Sequence, residues 1–236
     1  EARIVGRHWP IANQKWTDEQ KHKIEQSRWS ITEQIVALIN EGTNPPGLLI
    51  SGSAIGYYGR QQAQIIDEDF STPHQEFSHL LCKRWESLAS QAQSDKTRVC
   101  IIRTGIVITK RGGALHKMLL PFKLGLGGPI GDGSQYMSWI HLEDVLRGIA
   151  HLVAHDSCEG IYNFTAPNPV TNAEFSRELA SALSRPCFFR MPKSVLRMVM
   201  ADLLLYGQRV VPTRLQQSGY EFIYPQITQA LDCVRR

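Results

Sequence analysis

Between Thr17 and Gly42, apolar side chains recur at Ile24, Ile31, Ile35 and Leu38 among charged and amide residues. That spacing predicts a long amphipathic helix. Thr17, with Gln20 three residues on, predicts its start as a capping box, and Gly42 predicts its stop. The texture then changes. "PPGLLIS", "RVCIIR" and "GIYNFTA" carry apolar runs at Leu48 to Ile50, Arg98 to Arg103 and from Gly160. Helical patterns lie between and after them, at Phe77 to Ala92 and from Asn172. Continuous rather than alternating apolar strands, separated by helices, predict a parallel sheet covered on both faces. The expected class is α/β, doubly wound.

Glycines 105, 112, 113, 125, 127, 128, 131 and 133 crowd one stretch and predict a loop-rich region after the second strand. With 236 residues, 42% of them hydrophobic and 20% charged, the chain has material for one good-sized core or two modest ones. No run approaches the roughly 18 apolar residues of a membrane span. The net charge of +4 is spread without a basic run or an RNA-type aromatic motif, which argues against a nucleic-acid partner. Cys82, Cys100, Cys158, Cys187 and Cys233 are scattered and include no C-x-x-C pair. They read as reduced thiols of a cytoplasmic protein, with neither a disulfide frame nor a metal site.

The stretch "ISGSAIGYYG" takes the first strand into Ser51, Ser53, Tyr57 and Tyr58. In an open parallel sheet, ligands bind outside the carboxyl ends of the strands, so position favours a site here. The alternative is structural: the serines cap a turn and the tyrosines pack their rings. Elsewhere, Arg28 falls on the apolar stripe of the first helix, where a guanidinium needs a partner.

"SGSAIGYYG" resembles the Ser-Ser-x-x-x-Tyr-Gly segment of extended short-chain dehydrogenases of the epimerase and dehydratase type. "SWIHLEDVLRGI" resembles their Phe-Ile-His-Val-Asp-Asp-Val segment. "LLPFKLGLGGPIGDGSQYMSWIHLEDV" and "GQRVVPTRLQQSGYEFIYPQITQAL" look like the epimerase-family branch with a short extra C-terminal domain. The likeness covers roughly Trp16 to Val234. It implies a Rossmann-like dinucleotide-binding region over residues 1–110. Residues 111–236 would then form a substrate-side and C-terminal region, with 160–183 returning to the sheet and 186–234 forming the extra domain. It implies NADP or NAD as cofactor, NADP favoured, a small-molecule substrate with nucleotide sugars among the classes to consider, and a homodimer. Cofactor contacts are implied at Arg28, with Lys23, Ser51 and Val107 as further candidates. Substrate contacts are expected at Gln135, Trp139 and Lys117, with packing as the alternative for Gln135 and Trp139.

The sequence departs from this pattern in two places. No G-x-G-x-x-G is present, and "GLGGPIG" has the wrong spacing, contains Pro129 and follows no strand. "IVGRHW" resembles the end of the glycine turn, whereas "PIANQKW" resembles a segment well downstream of it. The expectation is a longer polypeptide of which these are joined pieces, and an intact mass near 26.7 kDa would contradict it. Second, the Tyr-x-x-x-Lys relay reads Phe77 and Leu81, and Lys83 sits about 120° off the required helix face. Phenylalanine transfers no proton. Ser53 takes the serine place, and Tyr57 or Tyr58 is left to serve as proton donor, with His79 or Lys117 assisting. His141 and Asp144 match a His-x-x-Asp segment whose structural reading is a helix cap. Two functions remain: an NAD(P)-dependent oxidoreductase or epimerase, or a catalytically inactive NAD(P)-binding sensor or partner-binding protein.

Overall fold

A computed structural model describes residues 17–110, 112–190 and 207–234, and the side chains of 113, 114 and 117 lie outside that description. The glycine-turn remnant near Ile4 and the side chain of Lys117 therefore lie outside the described residues. Helix α1, Asp18–Glu41, is capped by Thr17, whose hydroxyl accepts from the Gln20 amide at 3.3 Å. Its buried stripe is Ile24, Arg28, Thr32, Val36 and Ile39. Leu38, expected on that stripe, is 73% exposed, because the buried face runs through Thr32 and Val36 instead.

Strand β1, Leu48–Ala54, is followed by a 3-10 turn at Ile55–Tyr58 and by β2, Ile65–Ile66. Helix α2, Phe77–Ser90, leads into β3, Arg98–Thr104, and β4, Ile106–Ile108. Helix α3, Gly113–Lys123, precedes β5, Tyr136–Met137, β6, Trp139–His141, α4, Leu142–Ala154, and β7, Gly160–Phe164. Then come β8, Val170–Thr171, α5, Asn172–Ala182, β9, Arg209–Val210, α6, Thr213–Gln217, and α7, Ile227–Leu231.

The central sheet has the order β1-β3-β7, and both pairings are parallel. Ser53 stands opposite Arg103, and Arg103 opposite Asn163. One register row therefore carries all three. Apolar side chains of β1, β3 and β7 pack into two clusters. Val36 and Ile39 of α1 meet Val99 and Ile101, and Leu152 of α4 meets Cys100, Ile102 and Tyr162. That is the helix-covered parallel sheet the apolar runs predicted. Small parallel ladders, β2 with β9 and β4 with β6, extend the layer beyond the carboxyl ends. "GLGGPIG" follows helix α3 rather than a strand, with Gly125 at φ 72° and Gly131 at φ 63°. It is a turn region and no dinucleotide fingerprint.

The His141–Asp144 segment is built differently from the expected cap. His141 itself caps α4, its Nδ1 accepting from the Glu143 amide at 3.3 Å. Asp144 is fully buried and faces the C-terminal segment: Oδ1 accepts from the Tyr220 hydroxyl at 2.9 Å and the Ile223 amide at 2.9 Å, and Oδ2 from the Tyr224 amide at 3.0 Å.

Candidate active site

Strand β1 runs on through Ala54, so Ser51 and Ser53 lie within its carboxyl-terminal half rather than beyond it. Both are buried. The Ser53 hydroxyl donates to Glu86 Oε1 at 2.6 Å, and Ser51 Oγ makes only a long contact, 3.4 Å, to the Gly52 carbonyl. Glu86 comes from α2, on the face that also buries Cys82, Trp85 and Ala89.

Arg103, near the end of β3, completes the arrangement. Its Nε and Nη2 grip the Glu86 carboxylate at 2.8 and 2.7 Å, a two-point pair sealed from solvent on both sides. Nη1 donates to the Tyr58 hydroxyl at 3.0 Å, and that hydroxyl donates to Asn163 Oδ1 at 2.8 Å. Asn163 in turn gives its amide N–H to Glu68 and its side-chain N–H to the Val211 carbonyl. Burial pushes the Tyr58 phenol up to about 12, against the pull of Arg103. It likewise raises Glu68 above the usual carboxylate range, partly offset by the amides of Asn163 and Arg214. Tyr58 is thus a fully buried strut with both hydrogen-bonding positions taken. The pair of tyrosine candidates reduces to Tyr57, because the Tyr58 hydroxyl is spent on Arg103 and Asn163.

Tyr57 is half-buried, and the Arg103 guanidinium lies 3.5 Å from the centre of its ring. His79 Nδ1 donates to the Tyr57 carbonyl at 2.6 Å and holds the turn against α2, which fixes that histidine's tautomer. Phe77 opens α2 and Leu81 is buried one turn on, so the family's relay positions hold two hydrocarbons.

The other candidates separate in space. Arg28 is buried on α1, with Nη1 donating to the Ile24 carbonyl and the Ser27 hydroxyl and its guanidinium 5.5 Å from the Trp85 ring. Burial lowers its pKa, though an arginine remains charged there. Lys23 pairs with Glu19 at 2.6 Å on the exposed side of the same helix. Val107, in β4, is half-buried and packs toward the β3–β7 cluster. Trp139 is fully enclosed, and its indole N–H donates to the Asn168 carbonyl at 3.1 Å. The reading of Trp139 as pocket lining gives way to packing, since no ring atom is left for a substrate. Gln135 is half-buried, its Nε2 on the Ile130 carbonyl at 3.3 Å.

Sequence reasoning passed over Arg103, Glu86, Asn163 and Glu68. A signal existed for the first: an arginine closing an apolar run in a strand covered on both faces must find a carboxylate. Its partner, Glu86, sits beside Trp85 on the inward face of α2. Among the described residues no cluster of side chains suits a metal ion, and no helix is long and apolar enough to cross a membrane.

The chain resembles known proteins along most of its length. It is 36% identical over 222 residues to the epimerase family protein SDR39U1 of Bos taurus, covering 92% of this chain and 75% of that one. To the chloroplastic SDR39U1 homolog of Arabidopsis thaliana it is 37% identical over 230 residues, spanning 95% of this chain and just under two thirds, 65%, of that protein. The crystal structure of human SDR39U1 (isoform 2) with NADPH superposes with a TM-score of 0.91 at 33% identity, covering 95% of this chain and 78% of that chain. A UDP-glucuronic acid 4-epimerase from Bacillus cereus, TM-score 0.74 at 12% identity over 93% of this chain and 69% of that one, shares the fold alone. Residues 191–234 match a domain of unknown function, DUF1731. With residues 10–164 matching its family model, the chain belongs to the NAD dependent epimerase/dehydratase family.

Proposed function

We propose that the chain binds NADP(H), or NAD(H), and acts as an oxidoreductase or epimerase on a hydroxyl or carbonyl of a small molecule, with Ser53 and Tyr57 at the reacting group. The observation that carries this reading is the setting of Tyr57: a half-buried phenol beside the carboxyl edge of a parallel sheet, with a guanidinium on its ring face. The NADPH of the human relative's structure supports the cofactor. The described residues fit such a group chemically. Arg28 offers a buried cation suited to a phosphate-rich body, and Val107 and Ser51 offer an apolar wall and a small hydroxyl near the sheet edge.

When bound, the nicotinamide would supply or accept a hydride. The chain's own residues do the rest. Ser53 directs its hydroxyl hydrogen to Glu86, which leaves its oxygen lone pairs to accept from a substrate hydroxyl. Tyr57 donates a proton to the substrate oxygen. The Arg103–Glu86 pair presents its positive side to the face of the Tyr57 ring, a cation–π contact that orients the phenol. Incubation with NADPH and a panel of aldehydes, ketones and nucleotide sugars tests the proposal by absorbance and product analysis. Turnover that falls about 100-fold in Ser53→Ala supports it. A second reading, a cofactor-responsive sensor without catalysis, draws on Phe77 and Leu81 at the relay positions; saturable NADPH binding with no turnover across the panel would favour it.

A further inference from the structure

Helix α4 and the loop after α6 border a cleft of about 420 Å³. The helix gives it Arg147, Ala150, His151 and Ala154, and the loop gives it Gly219, Tyr220 and Glu221. It lies apart from the reacting group. Tyr57 follows the carboxyl end of β1, whereas α4 runs back toward the amino ends of the strands. There Arg98, the first residue of β3, donates from Nη2 to the Leu152 and Val153 carbonyls at 2.9 and 3.3 Å.

Both walls are held in place. The Tyr220 hydroxyl donates to Asp144 Oδ1 at 2.9 Å, and His151 Nε2 meets the Ser218 hydroxyl at 3.0 Å and its carbonyl at 3.1 Å. Gly219 has φ 88°, and a Cβ there would touch nothing within 4 Å. The turn therefore takes a glycine for its backbone and leaves open space beside it, so that a ligand reaches the main chain. Ala150 and Ala154, one turn apart on α4, keep the opposite wall low.

The charges on the two walls have opposite signs. Arg147 and Glu221 are both exposed, and neither makes an ion pair with the other or with another described residue. Burial and the Asp144 carboxylate push the Tyr220 phenol up, and the nearby Arg147 guanidinium pulls against them, which places that cation at the inner end of the helix wall. Burial holds His151 below the ordinary imidazole range, with the His155 ring stacked 4.0 Å away, so His151 adds no charge near pH 7. One cation on the helix thus faces one carboxylate on the loop across a small apolar floor.

We propose that this cleft binds a small zwitterion, an amino acid in the broad sense, with its carboxylate on Arg147, its ammonium on Glu221 and its carbon chain along Ala150 and Ala154. A lone anion would meet Glu221 and a lone cation would meet Arg147, so a ligand carrying both charges is the one that suits both walls. The site is independent of Tyr57 and of turnover.

The test is a titration of the full-length protein with glycine, β-alanine and γ-aminobutyrate, and with propionate and propylamine as singly charged controls. The readout is the backbone amide resonances of Gly219, Tyr220 and Glu221 in nitrogen–proton spectra. The site predicts that these resonances move with at least one amino acid and stay still with both controls. The amino acid that acts best reports the separation of the two charges. Arg147→Gln and Glu221→Gln should each weaken that binding about tenfold, while thermal unfolding stays that of the wild type because both side chains are exposed. A still loop across the three amino acids, an equal response to either control, or wild-type affinity in both folded variants overturns the proposal.

Discussion

Tyr57 and Tyr58 are chain neighbours whose rings meet edge to face at 5.6 Å, yet their surroundings give them opposite work. Tyr58 spends its hydroxyl between Arg103 and Asn163, whereas Tyr57 offers its ring to Arg103 from a half-buried position. Tyr58→Phe leaves a buried guanidinium N–H and a buried amide oxygen without their partner. It is expected to cost about 1–3 kcal/mol in urea unfolding near pH 8. The pH dependence has a definite sign. The folded phenol is raised to about 12 from an unfolded value near 10, so the protonated form is favoured by folding. Its stabilising contribution is complete below about pH 10 and is lost as pH rises toward 12. The stability gap between wild type and Tyr58→Phe should therefore narrow in unfolding measurements above pH 10; a gap that widened there would contradict the buried-strut role.

Helix α4 shows how an element can be legible while its purpose is not. Its start after "WIH" was readable, but Asp144, whose spacing suits a cap, turns away from its own helix to collect Tyr220, Ile223 and Tyr224. Local spacing could not show this, because the partners lie some 80 residues downstream, beyond any helical or strand period. Asp144→Ala should release residues 220–224 from α4. The predicted effect is a loss of about 2–4 kcal/mol in stability, with faster amide exchange at Ile223 and Tyr224. Unchanged exchange at those two amides would refute the docking role. Helix α1 carries a similar lesson. The period is right and Arg28 lies on the buried face as expected, but Leu38 faces solvent and Val36 does not, since the polar Thr32 on that face hides its true direction. If Arg28 serves the cofactor, Arg28→Ala should weaken NADPH binding roughly tenfold or more in calorimetry while the fold persists; equal affinities in two folded proteins would remove it from the site.

Across the molecule, what depended on continuous apolar runs was readable: β1, β3 and β7, their helical cover and the parallel order follow from side chains buried on both faces. What depended on distant polar pairing was not. Ser53 was found through a resemblance, but the Glu86 that accepts from its hydroxyl lies 33 residues away in sequence, and the Arg103 that grips Glu86 lies a further 17. These residues share only the sheet's register and the inward face of α2. The consequence for the whole chain is a division of labour: a sealed polar network fixes the tyrosine turn, and the phenol left at its edge is the one to which the proposed function gives the proton transfer. The most direct test is the ratio of kcat/KM between wild type and Tyr57→Phe on a substrate turned over with NADPH, with NADPH affinity measured alongside. The account predicts a fall of about 100-fold or more at nearly constant cofactor affinity. Undiminished turnover in a folded Tyr57→Phe protein would contradict it.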